Sequence, residues 1–266
     1  MIHRIAVLGA AALLAVFLAG PVVNLVLRAL EGGGLGRALG SATVRDALAL
    51  SLGTTAVSLV IAIAIGTPLA YVLARRRSRW KGLLELVVDL PIVLPPSVAG
   101  LALLLVFGRR GALGDSLEAS GLAVPFTTIA VVLAQVFVAA PLYVRSARAG
   151  IERVPRDLED AARVDGATEF GVFRYVMVPL AAPALAAGLV LTWARALGEF
   201  GATILFAGNV VGRTQTLPLV VYAEFQAGDL EAAIAASVVL VLAAVVVLGG
   251  VRLARRGSLV DVSNGS

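Results

Sequence analysis

The chain has 266 residues, of which 59% are hydrophobic and only 15% charged, with a formal net charge of +5. Soluble domains lie nearer to about half apolar and a quarter charged, so the composition excludes an ordinary soluble domain and predicts an all-α polytopic membrane protein. The arginines are scattered between apolar runs rather than gathered on one basic face, which argues against a nucleic-acid partner.

What the chain lacks narrows its chemistry. It has no cysteine, so disulfides, thiolate metal sites and thiol nucleophiles are excluded. Its one histidine is His3, which removes histidine-based metal sites and catalytic triads. Its one lysine, Lys81, follows Trp80, so no G-x-x-x-x-G-K-[ST] phosphate loop exists. If ATP drives this protein, another chain binds it.

In chain order the apolar runs outline six spans, each near the ~20 residues that a helix needs to cross a bilayer core. The first, 5–27, follows His3 and Arg4. A basic start before an apolar run also marks secretory signals, but this run is longer than a typical signal core and further spans follow. An uncleaved helix is therefore expected. Residues 28–47 read as a glycine-rich connection of mixed charge. The second span, 48–74, carries Ser51, Thr54, Thr55 and Ser58, hydroxyls that can bond back to their own helix or across to a neighbour. Gly66 and Pro68 can bend it near its end. Arg75-Arg76-Arg77-Ser78-Arg79-Trp80-Lys81 then supplies a basic anchor with an interfacial tryptophan.

The third span, 86–107, contains Asp89 and the run Leu90-Pro91-Ile92-Val93-Leu94-Pro95-Pro96-Ser97. Its three prolines remove backbone donors and distort the helix, which is tolerable only against protein or a water-lined cavity. Such a break forms either a gate wall or a structural kink. Residues 108–125 are a short outer loop, and the fourth span, 126–144, holds Gln135 and Pro141.

Next comes a polar island, 153–179. Asp157 is placed to cap a helix over 158–165, whose acidic first turn complements the positive end of the helix dipole. Gly166 interrupts it, a second short helix is expected over about 168–175, and Pro179 opens the following span. That fifth span, 176–197, includes Pro183, Gly188 and Arg195. Arg195 and Glu199 are four apart and can pair on one helical face. A charge at membrane depth is costly unless paired or facing water, so the pair is expected to face the interior, as a self-neutralising structural pair or as part of a gate. Segment 198–231 is outer, with a short helix around 218–225. The sixth span, 232–251, is uncharged and is closed by Arg252, Arg255 and Arg256 before a short polar tail.

Fifteen Lys and Arg residues fall in the segments on one side (Arg4, 75–81, 145–174 and 252–256). Six fall on the other (Arg28, Arg37, Arg45, Arg109, Arg110, Arg213), and Arg195 lies in a span. The positive-inside rule puts both termini and the polar island in the cytoplasm.

Within that island, Asp160-Ala161-Ala162, three residues, Gly166, nine residues, Val176, one residue and Val178-Pro179 resembles the EAA loop of ABC-importer permeases. The family pattern runs E-A-A, three residues, G, nine residues, I, one residue, L-P; here Asp replaces Glu, and Val replaces both Ile and Leu. The resemblance implies a type I (MetI-like) permease architecture, with Glu159, Asp160, Ala161, Ala162, Gly166, Val176 and Pro179 in a coupling segment that docks on a cytoplasmic ATPase. It implies a homodimer in the bacterial inner membrane, surrounded by lipid, with two ABC ATPase subunits and an extracytoplasmic oxyanion-binding protein as partners. ATP and Mg²⁺ then belong to the ATPase, and this chain has no catalytic residue, no metal site and no cofactor of its own. It divides into a first helix and outer connection (1–47), a permease core (48–251, coupling loop about 153–179) and a tail (252–266).

The segment 195–209, Arg-Ala-Leu-Gly-Glu-Phe-Gly-Ala-Thr-Ile-Leu-Phe-Ala-Gly-Asn, is followed by Arg213-Thr214-Gln215-Thr216-Leu217-Pro218-Leu219 and Tyr222. It resembles molybdate/tungstate permeases closely and sulfate/thiosulfate permeases somewhat less. The proline run and Gly66-Thr67-Pro68-Leu69-Ala70 also look like oxyanion-importer permeases. Asp89, Pro91, Pro95, Pro96, Ser97, Arg195, Glu199, Thr203, Asn209, Arg213 and Thr214 are the pathway or gate candidates. An oxyanion route needs hydrogen-bond donors without a deep positive trap, because the ion must leave as well as enter. Sulfate or thiosulfate is the rival cargo. A rival mechanism, an ion-coupled secondary transporter, would need buried carboxylates, and only Asp89 and Glu199 lie near membrane depth.

Overall fold

Runs of Ala, Leu, Val and Ile become membrane-length helices because a helix satisfies its own backbone groups where no water can. The computed structural model describes residues 2–31, 33–76 and 79–263, and their side chains except at 2, 3, 5, 6 and 250–263. In chain order the helices are α1 (Ile2–Glu31), α2 (Gly34–Gly40), α3 (Ala42–Arg75), α4 (Lys81–Val93), α5 (Pro96–Phe107), α6 (Gly114–Ala119) and α7 (Thr128–Glu152). They continue with α8 (Arg156–Val164), α9 (Glu169–Gly171), α10 (Val178–Leu197), α11 (Gly201–Phe206), α12 (Leu217–Gln226) and α13 (Leu230–Ser263). A π-helical stretch, Val172–Met177, joins α9 to α10 without a gap. Among the described residues, α1, α3, α7, the α9–α10 helix and α13 are long and apolar enough to cross a membrane. The pair α4 and α5 makes a sixth crossing only as a broken unit.

The middle of the bundle is α7, packed between α3 and α10 through small residues. A Cβ on Gly150 would lie 2.6 Å from the Cβ of Ala184, and one on Gly188 would lie 2.7 Å from that of Ser146. Close approach of this kind replaces the hydrophobic drive that helices lack in lipid. The hydroxyls expected on the second span line a polar seam. Ser58 donates to Gln135 Oε1 (3.0 Å), Ser51 Oγ accepts from the Leu217 N–H (2.8 Å), and Thr54 bonds back to Leu50 O (2.8 Å). Apolar clusters flank this seam. One joins α5, α7 and α11; one joins α3, α7 and the π-helical stretch; a third joins α2, α3, α12 and α13.

Several boundaries differ from those expected. The proline run breaks the third span outright, by 117°. Leu94 and Pro95 each precede a proline, which disfavours the helical region, and both are extended at ψ 134. Asp157 does not cap α8: extended Pro155 holds that position, and Asp157 sits in the first turn. The separate short helix over 168–175 is the start of the fifth span. Its π-helical stretch has a local reason, since the Pro179 ring would clash with the carbonyl four residues back, at Tyr175, inside that stretch. The connection at 28–47 is largely helical, and α13 runs past 251. Of the arginines counted for orientation, Arg77 and the side chains of Arg252, Arg255 and Arg256 lie outside the described residues, as does the tail at 264–266.

Candidate functional site

Two groupings emerge from the candidate residues. The first is the hairpin formed by α8 and the start of the α9–α10 helix. Its turn is a Schellman motif, in which the Ala167 N–H reaches Ala162 O (2.9 Å), the Gly166 N–H reaches Arg163 O (3.0 Å), and Gly166 takes φ +88°. Only glycine adopts that conformation without strain. Thr168 Oγ1 accepts from the Gly171 N–H at 3.1 Å and starts the second arm.

Glu159 is the one buried residue of α8, 3% exposed. Its Oε1 lies 2.5 Å from Nη2 of Arg75, at the end of α3, and that guanidinium also donates to Val154 O (2.9 Å) in the approach to α8. Arg163 binds the other Glu159 oxygen (3.5 Å), Asp160 Oδ1 (2.7 Å) and Glu169 on the second arm (2.8 Å). Glu169 foremost, with Asp160, raises the pKa of Arg163 above the ordinary arginine value. The rest of the hairpin faces outward. Asp160, Ala161, Gly166 and Pro179 are exposed, and Ala162 and Val176 are half-buried. Large apolar side chains stand out among them, namely Val164 (87% exposed), Phe170 (71%), Tyr175 (77%) and Leu158. Exposed apolar groups of this size suit a surface covered by a partner or by lipid.

The second grouping lies at the break of the third span. α11 packs on α5 backbone to backbone: a Cβ on Gly100 would lie 2.6 Å from Ala202 O, and one on Gly201 would lie 2.7 Å from the Pro96 Cβ. This brings exposed Pro96 and Ser97 beside the segment beginning at Arg195. The expected pair is present, with Arg195 Nη1 donating to Glu199 Oε2 at 2.6 Å. Glu199 lies just beyond the end of α10 and is 1% exposed, and its other oxygen accepts the Ala202 N–H at 2.6 Å, capping α11. Thr203, on the same short helix, is fully buried, and neither its hydroxyl nor Asn209 Oδ1 has a partner among the described residues.

Other candidates fall elsewhere. Pro91 is buried within α4, and Pro95 is exposed at the break. Asp89 is half-exposed and faces Arg145 of α7 at 3.6 Å, on the α4 face where Glu85 binds Arg148 (2.9 Å); it does not join the Glu199 grouping. Thr214 closes its own loop by accepting from the Val210 N–H (2.9 Å). Arg213 is exposed, and its carbonyl accepts from Thr128 at the start of α7. Sequence reasoning missed Arg75, Arg163 and Glu169. The four-residue spacing of Glu159 and Arg163 was the available signal, whereas Arg75 was absorbed into the basic anchor.

Membrane-length helices around a small-residue interface, one broken span and a water-facing hairpin define a permease subunit. A family description, binding-protein-dependent transport system inner membrane component, matches residues 66–257, and the chain belongs to this family of multi-pass inner-membrane importer permeases. The chain is 43% identical over 235 residues to the molybdenum transport system permease protein ModB of Mycobacterium tuberculosis, covering 88% of each protein. It is 36% identical over 211 residues to the sulfate transport system permease protein CysW of Synechococcus elongatus, covering 77% of this chain and 74% of that protein. Its fold matches a chain of a bacterial alginate ABC transporter crystallised with an alginate pentasaccharide-bound periplasmic protein. The TM-score is 0.75 at 18% identity, covering 94% of this chain and 92% of the other.

Proposed function

We propose that this chain is the membrane subunit of an ATP-driven importer for a tetrahedral oxyanion, molybdate or the similar tungstate. Two copies form the pathway, two cytoplasmic ATPases bind the hairpins, and an extracytoplasmic binding protein delivers the ion. ATP and Mg²⁺ reside on the ATPase, and both termini share the hairpin's side of the membrane. Closure of the ATPases draws the two hairpins together and turns the pathway outward; hydrolysis resets it.

The observation that carries this reading is the hairpin itself. Leu158, Val164, Phe170 and Tyr175 are large, apolar and exposed on a segment otherwise rich in charge. A partner's groove would remove them from water, each contributing up to about 1.5–3 kcal/mol. The cargo assignment is supported by the 43% identity to a molybdenum permease against 36% to a sulfate permease. The Arg195–Glu199 pair suits it, because a partly exposed guanidinium already balanced by a carboxylate attracts an anion without trapping it. An ion-coupled mechanism finds little support. Among the described residues the buried carboxylates, Glu159 and Glu199, are both paired with arginines.

The test is uptake of labelled molybdate into proteoliposomes holding this chain, its ATPase and its binding protein, with and without excess sulfate. Uptake that needs ATP and survives sulfate is expected. Uptake abolished by sulfate would reassign the cargo to sulfate, and uptake without ATP would overturn the mechanism.

A further inference from the structure

α8 buries no large apolar side chain in its own chain. Leu158 and Val164, its large apolar residues, are exposed, Ala162 is half-buried, and its one fully buried residue is Glu159. Besides Arg163 of its own helix, that carboxylate meets the guanidinium of Arg75, which is itself about nine-tenths buried. Arg75 is in the last turn of α3, the helix that contributes the polar seam against α7. Its head group engages both the α8 carboxylate and the Val154 carbonyl, on either side of the bend at Pro155. From Glu159 the ion contacts continue through Arg163 to Glu169, at the head of the helix that becomes α10. One chain of charges thus joins the hairpin to two spanning helices.

A buried ion pair is a poor choice for stability alone, since desolvation offsets most of its attraction; its established use is to fix one geometry over another. A guanidinium suits that use, because its nitrogens are fixed in one plane: here Nη2 alone reaches both the Glu159 carboxylate and the Val154 carbonyl, while buried Nε has no hydrogen-bond partner among the described residues. We infer that Arg75 and Glu159 are positioning residues that transmit displacement of the hairpin to α3, so that ATP hydrolysis and transport are coupled through this pair. The inference rests on the reading of the hairpin as the ATPase-docking element. With the pair broken, an ATPase could still grip the exposed apolar side chains of α8 and turn over, while α3 no longer followed.

The experiment uses the complete transporter in proteoliposomes and reads molybdate moved per ATP hydrolysed, together with ATPase co-purification. Arg75→Ala is expected to retain the bound ATPase and its turnover while the transport ratio falls about tenfold, within the ~5–150-fold range of coupling between sites. The exchanged pair, Arg75→Glu with Glu159→Arg, is expected to recover part of that ratio. If Arg75→Ala does not assemble, Arg75→Lys decides, because it keeps the charge but loses the fork; a reduced ratio is again expected. An unchanged ratio in an assembled variant, or failure of Arg75→Lys to assemble at all, would overturn the inference and leave a purely structural pair. Failure of the underlying reading looks different: the unmodified transporter would then move molybdate without ATP or not at all.

Discussion

Glu199 offers a graded test of the broken-helix grouping, because its two oxygens do separable work. Oε2 neutralises Arg195 and Oε1 caps α11 through the Ala202 N–H, each at 2.6 Å. Glu199→Ala removes both contacts. Loss of a cap costs about 1 kcal/mol. An arginine left without its buried partner costs about 3–5 kcal/mol when fully enclosed, but the Arg195 side chain remains 31% exposed and water takes part of the load, so about 1–2 kcal/mol is expected. The sum is about 2–3 kcal/mol. Glu199→Gln keeps a carbonyl oxygen for the Ala202 N–H and loses only the charge, so about 1–2 kcal/mol is expected. A double-mutant cycle with Arg195→Met should return the charge contribution alone, about 1–2 kcal/mol of coupling. Unfolding in mixed micelles, monitored by circular dichroism, supplies all the values. If Glu199→Ala and Glu199→Gln are equally destabilising, the capping role is refuted; if neither destabilises, the whole account of the pair fails.

Overpacking the α7–α10 contact with Gly150→Val or Gly188→Val should cost about 1–3 kcal/mol in the same assay, whereas Gly53→Ala, with no atom within 4 Å of its new Cβ, should stabilise by about 0.5–1 kcal/mol. Gly166→Ala meets no atom either, so its cost of about 1–2 kcal/mol should come from φ +88° alone and should appear as faster hydrogen exchange in α8 with the spans unchanged. Gln135→Leu takes the side-chain partner from Ser58 and Thr55 at the α3–α7 seam and should cost about 0.6 kcal/mol, the typical worth of a hydrogen bond between membrane helices. A loss above about 2 kcal/mol would mean that the seam carries more of the fold than its geometry implies.

The spans were legible because bilayer thickness imposes a length on every crossing segment: α3, the continuous α9–α10 helix and α13 contain the apolar runs that marked them, and α7 all but the first two residues of its run. The Arg195–Glu199 pair was legible for a similar reason, since a four-residue spacing is a local statement about a helix. The size of the break at Leu94–Pro95 was not: consecutive prolines announce distortion, but a 117° bend is set by what α5 packs against, and Gly100 and Gly201 are a hundred residues apart. Arg75 and Glu159 are separated by more than eighty residues, and nothing in a run of arginines tells which one turns inward. Asp157 had good capping chemistry but the wrong position, because Pro155 had already fixed where α8 begins.

The π-helical stretch Val172–Met177 carries a consequence for how this chain tolerates change in length. A π-turn holds one residue more than the α-turn it replaces, so losing a single residue there would leave the same number of turns ahead of α10 and the arm facing nearly as it does now. What would return is the clash between the Pro179 ring and the carbonyl four residues back, which the wide turn avoids. A residue lost from the ordinary helix of α10 has no such absorber: it would turn the arm by about 100° relative to the rest of that helix, carrying Phe170 and the Glu169–Arg163 contact off the face they now share with α8. Two deletions a few positions apart in one continuous helix should therefore differ sharply, the one at 172–177 costing local strain and the one beyond it the aim of the hairpin.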